Sequence, residues 1–83
     1  MFWYEKYGDS RTIYVELSSH ESAGWQRGDD EKIKEAERYA LINGLRRRRE
    51  RYVIEDFYDV VLRQGTIQSL KEKYQEVNET SRA

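Results

Sequence analysis

The chain has 83 residues, enough for one domain, and a domain of this size buries only ~60% of the surface its unfolded chain exposes. It contains no cysteine, which excludes a disulfide framework, a thiolate zinc site and a cysteine nucleophile, and no proline, so ring sterics bar no segment from a helix. Charged residues make up 37% of the chain yet cancel to a net charge of -1, so partner chemistry must be sought in where charge lies.

No uncharged apolar run approaches the ~20 residues that span a bilayer. Met1 leads into Phe2, Trp3, Tyr4, Glu5 and Lys6 with neither a basic n-region nor an apolar h-region, so the expectation is a cytoplasmic protein with no membrane partner.

Residues 2–7 and 11–18, rich in aromatic and β-branched side chains and separated by Gly8, Asp9 and Ser10, predict a β-hairpin. In the second strand Ile13, Val15 and Leu17 alternate with Thr12, Tyr14 and Glu16, which gives one buried and one solvated face. Residues 19–28, with their serines and glycines, read as a loop that carries Trp25. Asp29, Asp30 and Glu31 then open a helix, where carboxylates cap free amides and meet the positive end of the dipole. Ile33, Ala36, Ala40 and Gly44 share one face of it.

A glycine inside a helix costs about 1 kcal/mol relative to alanine, so a break near Asn43-Gly44 is favoured over one long helix from about 30 to 64. The next apolar set, Val53, Ile54, Phe57, Val60 and Val61, has helical spacing, with Gly65 as its stop. Phe57 is expected in the core, where truncation to alanine would cost ~3 kcal/mol or more. Thr66 caps a last helix through Ile67, Leu70, Tyr74 and Val77, and residues 78–83 form a polar tail. The fold class is α+β, an N-terminal hairpin packed on two or three helices within one domain, with 29–77 as the helical part.

The strongest polar asymmetry is the run Arg46, Arg47, Arg48, Arg49 and Arg51, which with Glu50 gives residues 45–52 a charge of +4 (five arginines less one glutamate). Guanidinium groups present planar donor forks suited to carboxylates, phosphates and aromatic faces. On one helix these arginines would point all round, pairing Arg46 with Glu50 and Arg51 with Glu55 at i,i+4, and only two or three could follow one phosphate track. Their neighbours are acidic, unlike a domain built to coat nucleic acid.

Catalysis has little support in the sequence. His20 is the sole histidine, and the carboxylates at Asp29, Asp30, Glu31 and at Glu55, Asp56, Asp59 are explained as helix-start charge and surface pairing before Mg²⁺ binding. Residues 65–83 fit a helix-turn-helix poorly, since Lys71 falls where a small apolar residue belongs and the turn glycine is missing. No cofactor or metal site is expected. The aromatic hairpin end, by contrast, has the composition of an interface.

The sequence therefore points to a small non-enzymatic regulatory or inhibitory protein, of the proportions of phage or mobile-element inhibitors, that docks on a larger protein. The expected contact residues are Arg46, Arg47, Arg48, Arg49, Arg51, Trp3, Tyr4, Tyr7 and Trp25. The alternative is a nucleic-acid-binding regulator, acting as a homodimer, whose Arg46–Arg51 segment contacts phosphates.

Overall fold

Ile13, Val15 and Leu17, the alternating apolar positions of the first hairpin, have no exposed surface, and the helices are laid against them. The computed structural model describes the chain except residues 7, 27, 29 and 83, with the backbone alone at 25, 26 and 75–82. In chain order the elements are β1 (Phe2–Tyr4), β2 (Thr12–Glu16), α1 (Ser19–Gln26), α2 (Glu31–Arg46), β3 (Arg51–Glu55), β4 (Val61–Thr66) and α3 (Ile67–Arg82). The strands form one sheet in the order β1-β2-β3-β4. The outer pairs are antiparallel hairpins, and the central pair β2/β3 is parallel, with Tyr14 opposite Val53. A parallel pair needs a crossover connection, which α1 and α2 supply. The fold is α+β, with the N-terminal hairpin packed on helices as expected.

Ile13 and Val15 stand opposite Tyr52 and Ile54, so these four share one sheet face, and they form a single core with Ile33, Ala36 and Ala40 of α2 and Ile67, Leu70 and Tyr74 of α3. Tyr14, Val53 and Gln64 lie on the other face, which no helix covers among the described residues. The core positions of α2 and α3 are the ones that helical periodicity selects.

Several expectations are corrected. Residues 51–55 and 61–66 are strands, so neither a third helix nor one long helix runs through 53–64. The apolar set there satisfies a helical spacing, but Tyr52 and Ile54 bury on alternate positions, and β-branched residues such as Val53, Ile54, Val60 and Val61 suit a pleated surface. Phe57 consequently sits in the β3–β4 turn rather than the core, 39% exposed and stacked on Tyr58 with ring centroids 4.1 Å apart. The turn is closed by Asp56, whose carboxylate accepts from the amides of Tyr58 and Val60 at 2.8 and 2.9 Å, while Asp59 takes a left-handed φ of 64°.

Residues 19–26, expected as loop, form α1 behind a capping box. The Ser18 hydroxyl accepts from the Glu21 amide at 3.2 Å, and the Glu21 carboxylate accepts from the Ser18 amide at 2.9 Å. At the start of α2, Asp30 is the N-cap residue, but its side chain makes no capping bond.

Gly44 does not break α2. It is buried because the helix passes close to α3: a Cβ there would meet the Ile67 Cδ1 at 2.6 Å. The close crossing is reinforced by Glu37, a buried carboxylate of α2. It accepts from the Tyr74 hydroxyl at 2.7 Å, from Lys73 Nζ at 3.1 Å and from Arg63 Nη1 at 3.4 Å. Burial, then the bond to Glu37, pushes the Tyr74 hydroxyl pKa up. One carboxylate thus ties α2, α3 and β4 together.

Candidate docking surface at the arginine turn

α2 ends at Arg46 in a Schellman arrangement: the Arg49 amide donates to the Gly44 carbonyl at 2.8 Å and the Arg48 amide to the Leu45 carbonyl at 3.3 Å. The position that must turn left-handed is normally glycine, yet here it is Arg48, with φ of 56°. The chain then runs straight into the sheet. The amides of Glu50 and Arg51 both donate to the Arg11 carbonyl, at 2.8 and 3.0 Å, and the Glu50 carbonyl accepts from the Ile67 amide at 2.9 Å. The arginine run is therefore a fixed turn, stitched to the first hairpin on one side and to the start of α3 on the other.

That geometry separates the five arginines. Arg49 turns inward, with 7% of its side chain exposed, pairing with the Glu5 carboxylate and donating to the Asp9 carbonyl at 3.4 Å. Its Nε is buried without an acceptor among the described residues. Arg47 lies over the Trp3 ring, 3.9 Å from guanidinium carbon to ring centroid, so Trp3 is a platform for the turn at the edge of the core. Arg46 and Arg48 are exposed, and among the described residues their side chains meet no carboxylate, carbonyl or ring. Arg51 is exposed at the rim of a hollow of about 400 Å³ on the open sheet face, beside Tyr14, Gln64 and Thr66. The pairs Arg46–Glu50 and Arg51–Glu55 do not form among the described residues. These residues no longer share a helix, and Glu55 is engaged elsewhere.

Tyr4, an expected contact residue, is part of a network on the open face. Its hydroxyl donates to Glu55, which also accepts from Lys6 Nζ at 2.8 Å, and its ring stacks on Tyr14 at 5.5 Å. Burial, then the Glu55 bond, drives the Tyr4 hydroxyl pKa up, and the same Glu55 bond raises that of Lys6. Tyr7 lies outside the described residues, as does the side chain of Trp25, whose backbone is in α1.

The exposed apolar residues are elsewhere. Tyr58, Val60 and Val61 lie in or beside the β3–β4 turn, at the opposite end of the sheet from the arginine turn, with Tyr58 75% exposed, and Phe2 is at the same end on the edge strand β1. Sequence reasoning placed Val60 and Val61 on a buried helix face. The available signal was the pair of aspartates, Asp56 and Asp59, which bracket a turn without glycine or proline. Ile42 and Leu45 are a second exposed pair, on α2 one turn before the arginines.

Among the described residues no three His, Cys, Asp or Glu are grouped to hold a metal ion, and no helix is long and apolar enough to cross a membrane. The chain matches no protein-family model, no curated protein and no solved structure.

Proposed function

We propose that this chain is a non-enzymatic binding protein that docks on a larger protein partner through the arginine turn, regulating or inhibiting it in the cytoplasm. The observation that carries the reading is Arg48. A left-handed backbone burdens an L-residue by roughly 1–2 kcal/mol, and its side chain meets nothing among the described residues that would offset this. A local violation uncompensated among the described residues, near a second guanidinium, Arg46, that likewise has no partner among them, on a turn fixed from both sides, is what a preorganised recognition element requires. Trp3, Arg47 and Arg49 support that turn instead of contacting the partner.

Affinity capture with tagged protein tests this. The double change Arg46→Glu and Arg48→Glu should lose a partner that the wild type retains, with an unaltered unfolding transition. Retention of every partner would sink the reading.

A second reading, a dimeric nucleic-acid-binding regulator, draws on one observation: Tyr14 and Arg51 flank the hollow on the uncovered sheet face, where a base could stack beside a phosphate contact. Against it, Glu16, Glu55 and Asp59 lie at the other end of that face. Titration with single-stranded DNA decides, since phosphate binding must weaken steeply with salt.

A further inference from the structure

The groove beside the arginine turn specifies the partner, and the specification rests on the docking role proposed above. Between the last turn of α2 and the first turn of α3 lies an open groove of about 400 Å³. Its apolar lining is Ile67, buried, and Leu45, 50% exposed, with the polar Thr66 and Gln68 beside them. Ile42, three positions before Leu45 and therefore on the same side of α2, continues the apolar stripe beyond it.

Positive charge gathers beside it. Lys71 lines the groove, and the exposed Arg46 and Arg48 are the chain neighbours of its lining residues Leu45 and Arg49; among the described residues none of these three side chains has an ionic or hydrogen-bonding partner. Within the lining Lys71 balances Glu50, the one acidic residue there, and Arg49 is paired with Glu5, so the surplus of +2 is that of Arg46 and Arg48 on the adjoining turn. Arg49, whose side chain is 93% buried (100 less the 7% exposed), lines the same groove and keeps an Nε donor without an acceptor among the described residues. An apolar patch next to a turn with surplus positive charge is complementary to an acidic segment with an apolar side chain.

We propose that this groove binds an acidic protein segment that carries an apolar anchor, with the anchor seated on Leu45 and flanking carboxylates meeting Arg46, Arg48 and Lys71. A nucleic acid strand would leave Leu45 and Ile42 unused, and two or three phosphate contacts bind weakly at physiological salt. An anchor side chain surrounded by charge-assisted contacts uses every feature of the groove.

The test employs the full chain and three labelled probes: a short peptide of Asp and Glu with two leucines, the same peptide with serines for the leucines, and oligothymidylate. The leucine peptide should bind tightest and shift backbone amide resonances at residues 44–50 and 67–71. Leu45→Ser should weaken it about tenfold without affecting the serine peptide, and Arg46→Glu with Lys71→Glu should weaken both peptides about tenfold or more. All of these side chains are exposed, and circular dichroism verifies that the variants fold.

If the two peptides bind alike and Leu45→Ser changes nothing, the groove is not the site, while an arginine-turn interface survives. If charge reversal at Arg46 and Arg48 is also without effect, both ideas fall. Absence of peptide binding, or tighter binding of oligothymidylate, overturns the proposal.

Discussion

Replacing Arg48 by glycine separates what the turn does for the fold from what it does for a partner. Arg48 occupies the left-handed position of the Schellman turn at φ 56°, where an L-residue is burdened by roughly 1–2 kcal/mol and glycine is not. Glycine gives back about 0.5–1 kcal/mol through its freer unfolded chain. The backbone bonds of the turn, Arg48 to Leu45 and Arg49 to Gly44, need no side chain and persist. The net expectation is a gain of about 0.5–1 kcal/mol. In a domain this small that raises Tm by about 3–6 °C and increases the urea midpoint at unchanged m. Arg48→Ala keeps the left-handed strain and should stay within about 0.5 kcal/mol of wild type. Partner capture should weaken in both variants. A fall in Tm for Arg48→Gly would mean the guanidinium supports the fold, and the argument from uncompensated strain would be lost.

Other substitutions probe the fold and its charges. Ile54→Ala, at a fully buried strand position, should cost about 2–5 kcal/mol. Phe57→Ala, in the exposed turn, should cost less than about 1 kcal/mol in the same denaturation series, and a reversed order would restore the helical reading of 53–61. Glu37→Ala strands the Tyr74 hydroxyl in the core while Lys73 and Arg63 reach water, so about 1–3 kcal/mol should be lost on urea unfolding; a neutral result would refute the tie between α2, α3 and β4. Burial, then the neighbouring Asp59 carboxylate, pushes the Glu16 pKa above the ordinary glutamate value of 4.5. The folded state therefore holds the proton more tightly, and stability falls as pH rises from 4.5 through the folded pKa. Glu16→Gln should raise Tm at pH 7, with the gain vanishing as pH is lowered to 4.5; a gain independent of pH would exclude this origin.

The parts of the fold that were legible are those where one periodicity had no competitor. Ile13, Val15 and Leu17 alternate cleanly, and Ile33, Ala36 and Ala40 in α2, like Ile67, Leu70 and Tyr74 in α3, recur at helical spacing; all are buried as read. Residues 51–61 satisfied two periods at once. Counting Val53, Ile54, Phe57, Val60 and Val61 gave a helix, whereas giving weight to Tyr52, whose hydroxyl hid an inward-facing ring, would have favoured a strand. α1 was missed because Ser18-Ser19-His20-Glu21, a capping box, precedes a stretch with almost no apolar pattern. For the candidate site, the arginine run itself was visible. Which guanidinium turns inward depends on the left-handed Arg48 and on Glu5 and Trp3, partners about forty positions away in the chain.

The parallel seam between the two hairpins has a consequence for assembly. β1–β2 and β3–β4 each close over a short connection, whereas the seam joins Tyr14 to Val53, 39 positions distant, and must await the ordering of α1 and α2. Each hairpin by itself is at best marginally stable in water. Zippering of this seam should therefore gate the folding reaction. Truncations at Val15 and Ile54 should slow refolding, while those in the β3–β4 turn accelerate unfolding, the signature of a nucleus spread across both ends of the polypeptide.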